Sequence, residues 1–210
     1  MYLPKHFEEA RPERLHGFIA AHPLGLLITH DSRGVVANPI PFLLQPARGA
    51  KGTLIGHVAR ANPVWREIPG TSQALVVFQG AQGYISPGWY ASKQEHGKVV
   101  PTWNYSTVQV RGPLRVHDTP DAVRAVGHGL TTHHEADQRA PWAMADAPAD
   151  YIDTMIGAIV MIEVPIVEII GKFKLSQNRA TADRVGVEAG LHERGNTALA
   201  ADMLALRKAP

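Results

Sequence analysis

Apolar residues recur at two periods along this chain, and the switches between them mark its elements. Leu15, Phe18 and Ile19 stand at i, i+3 and i+4 behind Pro12, a residue suited to a first helical turn, so residues 12–21 read as a short helix that Pro23 ends. Residues 24–30 (LGLLITH) and 35–44 (VVANPIPFLL), joined by DSRG, read as a β-hairpin with Asp31 and Gly34 as turn residues. Pro39 and Pro41 have no N–H to give a ladder, so the second arm is expected to be an edge strand or an interrupted one, with backbone carbonyls left free. Further strands are expected at 52–58, 73–78 and 83–86, with a short helical turn around NPVWREI. Residues 101–118 read as a long strand bent at Gly112-Pro113, followed by helices at about 120–137 and 148–157. Residues 158–170 (AIVMIEVPIVEII) form one β-branched run. Two more helices follow at roughly 179–192 and 196–207, with Gly195 between them, Asn196 as cap and Leu199, Met203 and Leu206 as a helical stripe.

Strands broken by short helices, without regular βαβ alternation, predict an α+β domain with a mostly antiparallel sheet or small barrel. A length of 210 residues with 45% hydrophobic content suits one globular domain. No run approaches the roughly 18 apolar residues of a membrane span, and the start MYLPKHFEEARPE lacks the pattern of a secretory signal. A soluble cytoplasmic protein is therefore the expectation. The absence of cysteine excludes disulfides, thiolate metal sites and cysteine nucleophiles. A net charge of +2 gives no nucleic-acid footprint by itself.

The usual phosphate cradles are missing: there is no P-loop and no G-x-G-x-x-G after a strand. Ser86 lacks the upstream glycine of a nucleophile elbow. His128, His133 and His134 stand beside Glu135, but His128 and His133 are about 500° apart on a helix, not on one face, so no metal site is expected.

What remains is an aromatic concentration. Tyr84, Trp89, Tyr90, Trp103 and Tyr105 crowd around the polar loop SKQEHGK, and such amphipathic rings gather where one side is apolar and the other wet: a ligand pocket or a subunit interface. Period-2 counting puts Trp103, Tyr105, Thr107, Gln109 and Arg111 on one face of their strand and Asn104, Val108 and Val110 on the other. A solvent face packed on a neighbouring loop is the plainer reading. Two cationic strand ends favour a ligand. GHVARANP brings His57, Arg60 and Asn62 to where a helix would begin, and GKFKLSQNR supplies Lys172, Lys174, Ser176, Gln177, Asn178 and Arg179 in a glycine-led turn. Cations from distant strands can hold a phosphate without a P-loop. Each end also reads as a capped strand with solvated charges; together with the aromatic face they suit a planar polar ring with a phosphate tail.

The motifs MYLPKHF, ANPIPF, GHVARANP, YISPGWY, KVVPTWNY, PWAMADAPADYI and GKFKLSQNRATADRVGVEAGL, in this order, make the chain resemble the PaiB family of FMN-binding proteins, among the pyridoxamine-phosphate-oxidase-like split barrels. The resemblance implies an α+β, antiparallel split β-barrel of six to eight strands with peripheral helices and a helical C-terminus, forming a homodimer with FMN at the subunit interface. Residues 1–178 would be the flavin-binding domain, and 179–210 a helical segment packed on the barrel or the partner subunit. Asn38, Pro39, Ile40 and Pro41 would line the isoalloxazine edge through backbone groups, and His57, Ala59, Arg60 and Asn62 would belong to the strand end that approaches the phosphate. Thr102, Trp103, Asn104, Tyr105 and Gln109 would form another wall, and Lys174, Ser176 and Gln177 would close the site. Phe173 stands where the family carries tryptophan, and Met161 where it carries glycine.

The implied function is that of an FMN-binding negative transcriptional regulator. The C-terminal helix pair has the outline of a helix-turn-helix, yet NTALAADMLALRK offers few side chains able to read bases, so direct DNA binding is not expected. The alternative is an FMN-dependent oxidoreductase, with Tyr84, His57 and His96 as candidate proton donors. Haem binding or breakdown, known in related split barrels, is the third reading.

Overall fold

The hairpin forms where alternation and turn chemistry place it. In the computed structural model, which describes residues 1–32, 34–66 and 73–208, strand β2 (Leu24–Asp31) pairs antiparallel with β3 (Gly34–Pro41), running from Leu24 opposite Pro41 to Asp31 opposite Gly34. Gly34 has φ +109°, a conformation open to glycine at little cost. The helices follow their periodicity equally closely: α1 (Pro12–Ala21), α3 (Pro120–Glu135), α4 (Ala149–Gly157), α5 (Thr181–Glu193) and α6 (Thr197–Lys208), with α2 (Ser92–His96) a short helix inside the segment read as a loop.

The remaining strands are β1 (Glu8–Glu9), β4 (Leu43–Gln45), β5 (Thr53–Ala59), β6 (Gln73–Ile85), β7 (Thr102–Pro113), β8 (Arg115–His117), β9 (Ile159–Pro165) and β10 (Glu168–Lys174). They form two antiparallel sheets in the orders β1-β10-β7-β6-β2-β3 and β4-β5-β9-β8. The strands beyond the expected six to eight are short: β1 has two residues, β4 and β8 three each. Strand β3, with its two prolines, is an edge, as such a sequence requires.

Three expectations need correction. The segments 73–78 and 83–86 are one strand, β6, because ladder pairing carries the chain through QGAQG. The β-branched run 158–170 is two strands, parted after Pro165, which lacks the donor to continue the first. Gly171–Lys174 therefore lies in β10 rather than in a turn, and the turn starts at Leu175. The far end of the NPVWREI turn, Glu67 and Ile68, lies outside the described residues; its described part is a 3-10 turn, Pro63–Trp65.

The chain divides into two compact units, Met1–Arg11 with Gln79–Val108 and Ile170–Pro210, and Pro12–Phe78 with Gln109–Ile169. In the first, Leu191, Leu199 and Ile85 are fully buried and the Trp89 ring fills the space at Gly190, where an added Cβ would lie 2.4 Å from the indole. In the second, Leu27, Phe42, Leu54, Phe78 and Ile162 form the interior, and α3 and α4 cover Ile55 and Met161 with Val123, Val126, Leu130, Ile152 and Ile156. Burying such side chains contributes roughly 1.5–3 kcal/mol each. Strand β7 runs through Gly112 to Pro113 and breaks at Leu114, and position 112 has to be glycine because an added Cβ would stand 2.0 Å from the carbonyl oxygen of Pro165.

Strand alternation sorts the two faces of the hairpin. Gly25, Leu27, Thr29 and Asp31 are buried, while Leu24 and Leu26 are exposed beside Pro39, Pro41 and Val35 on β3, with Ile28, Leu75 and Val77 half-buried in the same rows. This leaves an apolar sheet face uncovered in the second unit.

Candidate functional site

The sixteen residues singled out from the sequence fall into two groups, one in each unit, and each group has its own chemistry.

In the second unit Asn62 is fixed first. Its Oδ1 accepts from the backbone N–H of Val64 at 3.0 Å, capping the 3-10 turn, and its Nδ2 donates to Asn38 Oδ1 on β3 at 3.0 Å. Asn38 Nδ2 is then buried with no partner among the described residues. An unpaired buried donor costs about 1–3 kcal/mol, so Asn38 is poised to donate to something outside the chain. Ile40 is buried and Pro39 and Pro41 are exposed; an added Cβ on Gly56 of β5 would lie 3.0 Å from Pro41 O, so the two strands approach closely there.

His57, next in β5, points to the other side. It is register-paired with Met161, which in turn faces His117, so the three side chains share the sheet face that α3 packs on. Burial holds the His57 imidazole below its ordinary pKa, and its Nδ1 is a second buried atom without a partner among the described residues. Ala59 is exposed at the strand end, where its carbonyl accepts from Asn62 N–H at 2.9 Å; Gln109 is half-buried in β7.

Arg60 is already engaged. Its Nη1 and Nη2 donate to Asp118 Oδ2 and Oδ1 at 2.9 and 2.5 Å, Nε to Gly157 O at 2.6 Å, and Nη2 also to Ile159 O at 3.1 Å. Hydrogen bonding and charge from Arg60 hold the Asp118 carboxyl below the usual carboxylate range. The pair lines a cleft of about 370 Å³ with a second ion pair, Arg124 and Asp153.

In the first unit the side chains close on one another. Asn104 Nδ2 donates to Ser176 Oγ at 2.9 Å in a buried contact, with Met203 Sδ 3.5 Å away. Ser176 has φ +61°, the one non-glycine residue at positive φ among the described residues. Lys174 Nζ donates to Thr102 Oγ1 at 2.5 Å and Trp103 O at 2.8 Å, and burial, with Lys172 and Arg179 nearby, pulls its pKa down. Gln177 folds back on its own turn, donating to Phe173 O at 2.5 Å and accepting from Leu175 N–H at 2.8 Å. The aromatics are the open part. Trp103, 46% exposed, meets Tyr84 edge-on at 6.4 Å and donates to Gln82 Oε1 at 3.2 Å, while Tyr105 carries Lys172 over its ring at 5.4 Å.

Two residues were missed from sequence. Asp118 is 58 positions from Arg60 and gave no local signal. Glu163, 1% exposed, was visible as a lone charge inside AIVMIEVPI, and it accepts from Arg48 Nη2 at 2.5 Å. The group that fits the second unit's unpaired buried donor is a planar acceptor-edged ring, which Asn38 would meet; the phosphate end would require Arg60 to share its guanidinium with Asp118. Among the described residues no three His, Cys, Asp or Glu side chains stand together to hold a metal.

Comparisons with known proteins agree with this chemistry. Residues 1–168 match the family model described as "Putative FMN-binding domain". An uncharacterized protein of Emericella nidulans is 31% identical, with 94% of this chain and 93% of that protein covered. The Bacillus subtilis protease synthase and sporulation protein PAI 2 is 26% identical over 93% of this chain and 91% of its own. Among solved structures, the FAD and heme binding protein from Mycobacterium smegmatis superposes with a TM-score of 0.60 at 16% identity, over 85% of this chain and 78% of that one, which shows the fold. The fold is the α+β split barrel, and the chain belongs to this family of FMN-binding domains, with FMN as its cofactor.

Proposed function

We infer that the protein is an FMN-binding regulator of the PaiB type, acting as a homodimer with the flavin at the interface of two copies. The observation that carries the reading is the buried donor Asn38 Nδ2, without a partner among the described residues, on β3, the strand whose other face is apolar and uncovered. A second copy covering Leu24, Leu26, Val35, Pro39 and Pro41 would remove exposed apolar area from water. Asn38 would orient the ring by hydrogen bonding, and Arg60 would exchange one carboxylate contact for the phosphate. Bound FMN supplies one- and two-electron redox chemistry. In this reading residues 1–178 carry the flavin and the helices in 179–210 brace them.

The regulatory role is supported by the similarity to PAI 2 rather than by a DNA-reading element. In α6 Leu199, Ala200 and Met203 are buried, and in α5 Arg184 bonds Thr181 while Arg194, just past its end, lies over Trp89. Among the described side chains of these two helices, basic groups are therefore not arrayed along one face as groove reading requires. Regulation would run through a ligand or a protein partner.

A second reading, an FMN-dependent oxidoreductase, takes His57 as a candidate proton donor: burial favours its neutral imidazole, and its Nδ1 has no partner among the described residues. One experiment separates them. The purified protein is titrated with FMN and then with NAD(P)H while its absorbance is followed: a stable flavin spectrum is expected for the regulator, and fast bleaching would replace that reading with a reductase. Failure to take up FMN would remove both.

A further inference from the structure

Within the second unit a cavity of about 310 Å³ lies between α3 and the four-stranded sheet. Leu43, Ile55 and Met161 of the sheet and Ala125, Val126 and Gly129 of α3 form its walls. Its volume is at the small end of the roughly 300–1,000 Å³ range of ligand pockets, suited to a single ring or a short acyl chain.

Gly129 is informative because packing does not demand it. An added Cβ there would meet only Leu43 Cδ2 at 3.6 Å, an ordinary contact, whereas one on Gly127 would stand 2.7 Å from Met144 Cε. Glycine is a poor helix former, so at position 129 the helix gives up propensity and the cavity keeps its width.

The polar end has a definite sign. Glu163 is 1% exposed and register-paired with Ile55 on one side and Arg115 on the other, so it shares the sheet face under α3. Around this one carboxylate stand Arg48 Nη2 at 2.5 Å, Arg115 Nη1 at 3.5 Å and His117 Nε2 at 3.4 Å. Two guanidiniums against one carboxylate leave a surplus of positive charge. Arg48 and His117, each nearly half exposed, line the cavity, with Gln45 beside them. A guanidinium presents five N–H donors, so Arg48 is able to serve Glu163 and an incoming carboxylate together.

We propose that this cavity is a second ligand site, distinct from the flavin's, that binds a small apolar monocarboxylate with its tail against Ile55, Met161 and Val126 and its head on Arg48 and His117. None of the residues assigned to FMN lines it.

The test uses the FMN-loaded protein, with hexanoate as probe and hexan-1-ol as its uncharged match, followed by amide NMR shifts. Hexanoate is expected to give saturable shifts at Ala125, Gly129 and His117, with the alcohol weaker by about tenfold or more. Ala125→Leu, a change at an exposed rim position, should abolish hexanoate binding and leave FMN affinity unchanged. Arg48→Gln should weaken hexanoate by about tenfold; if Glu163, left with Arg115 and His117 alone, unfolds that variant, the alcohol and Ala125→Leu still decide. Equal binding of acid and alcohol, shifts confined to other residues, or full binding by Ala125→Leu would overturn the proposal. So would loss of FMN affinity in Ala125→Leu, which would make the cavity part of the flavin site.

Discussion

Arg60 and Asp118 meet as a bidentate pair, with guanidinium nitrogens 2.9 and 2.5 Å from the two carboxylate oxygens. The cation assigned to the phosphate is thus held by a competitor. Asp118→Asn weakens that hold and should tighten FMN binding several-fold, whereas Arg60→Gln should loosen it by roughly tenfold. Flavin fluorescence titration reads both, and identical affinities in the two variants would separate Arg60 from the phosphate.

Leu26 stands exposed on the uncovered hairpin face, opposite Pro39 and Val77. Leu26→Lys puts a charge where the second copy is proposed to sit, and burying an unpaired charge is costly. Sedimentation equilibrium should show dimer giving way to monomer with unchanged circular dichroism. A variant that stays dimeric would move the interface elsewhere.

His57 has its pKa lowered by burial, so the folded protein resists the proton that the unfolded chain accepts near pH 6.5. For a group with a depressed folded pKa, its contribution is intact above the unfolded value and is lost as pH falls towards the folded one. Urea midpoints should therefore decline on acidification below about pH 6.5, and His57→Gln should flatten that part of the curve. An equal decline in the variant would assign the acid sensitivity to other groups.

Ser176 combines a strained backbone, φ +61°, with a buried bond to Asn104. Ser176→Ala keeps the strain and loses the bond, so it should cost about 1–3 kcal/mol. Ser176→Gly loses the same bond but relaxes the backbone, recovering roughly 1 kcal/mol. Chemical denaturation of the pair distinguishes the two contributions; equal losses would mean that the left-handed conformation carries no penalty here.

The hairpin and the long helices were legible because local periodicity and turn residues decide them. The glycines of QGAQG read as a break, yet neighbouring strands hold β6 together through them. Pro165 had the opposite effect, splitting a run whose composition alone looks continuous. At the site, residue types were legible and their partners were not. Asn38 could be singled out, but its bond to Asn62 depends on the fold, as does the pairing of Arg60 with Asp118 across 58 positions. The orientation of His57 follows only from the β5–β9 register.

Pro39 and Pro41 also bear on what the chain does when crowded. An edge strand with a full row of N–H groups invites another strand to lengthen the sheet, and that step repeats without limit. On β3 two of those donors are missing and the edge cannot be copied in register. The apolar residues beside it are thereby left to association through the sheet face, a mode that one partner saturates, and Pro39→Val is the change that would open the route to fibres.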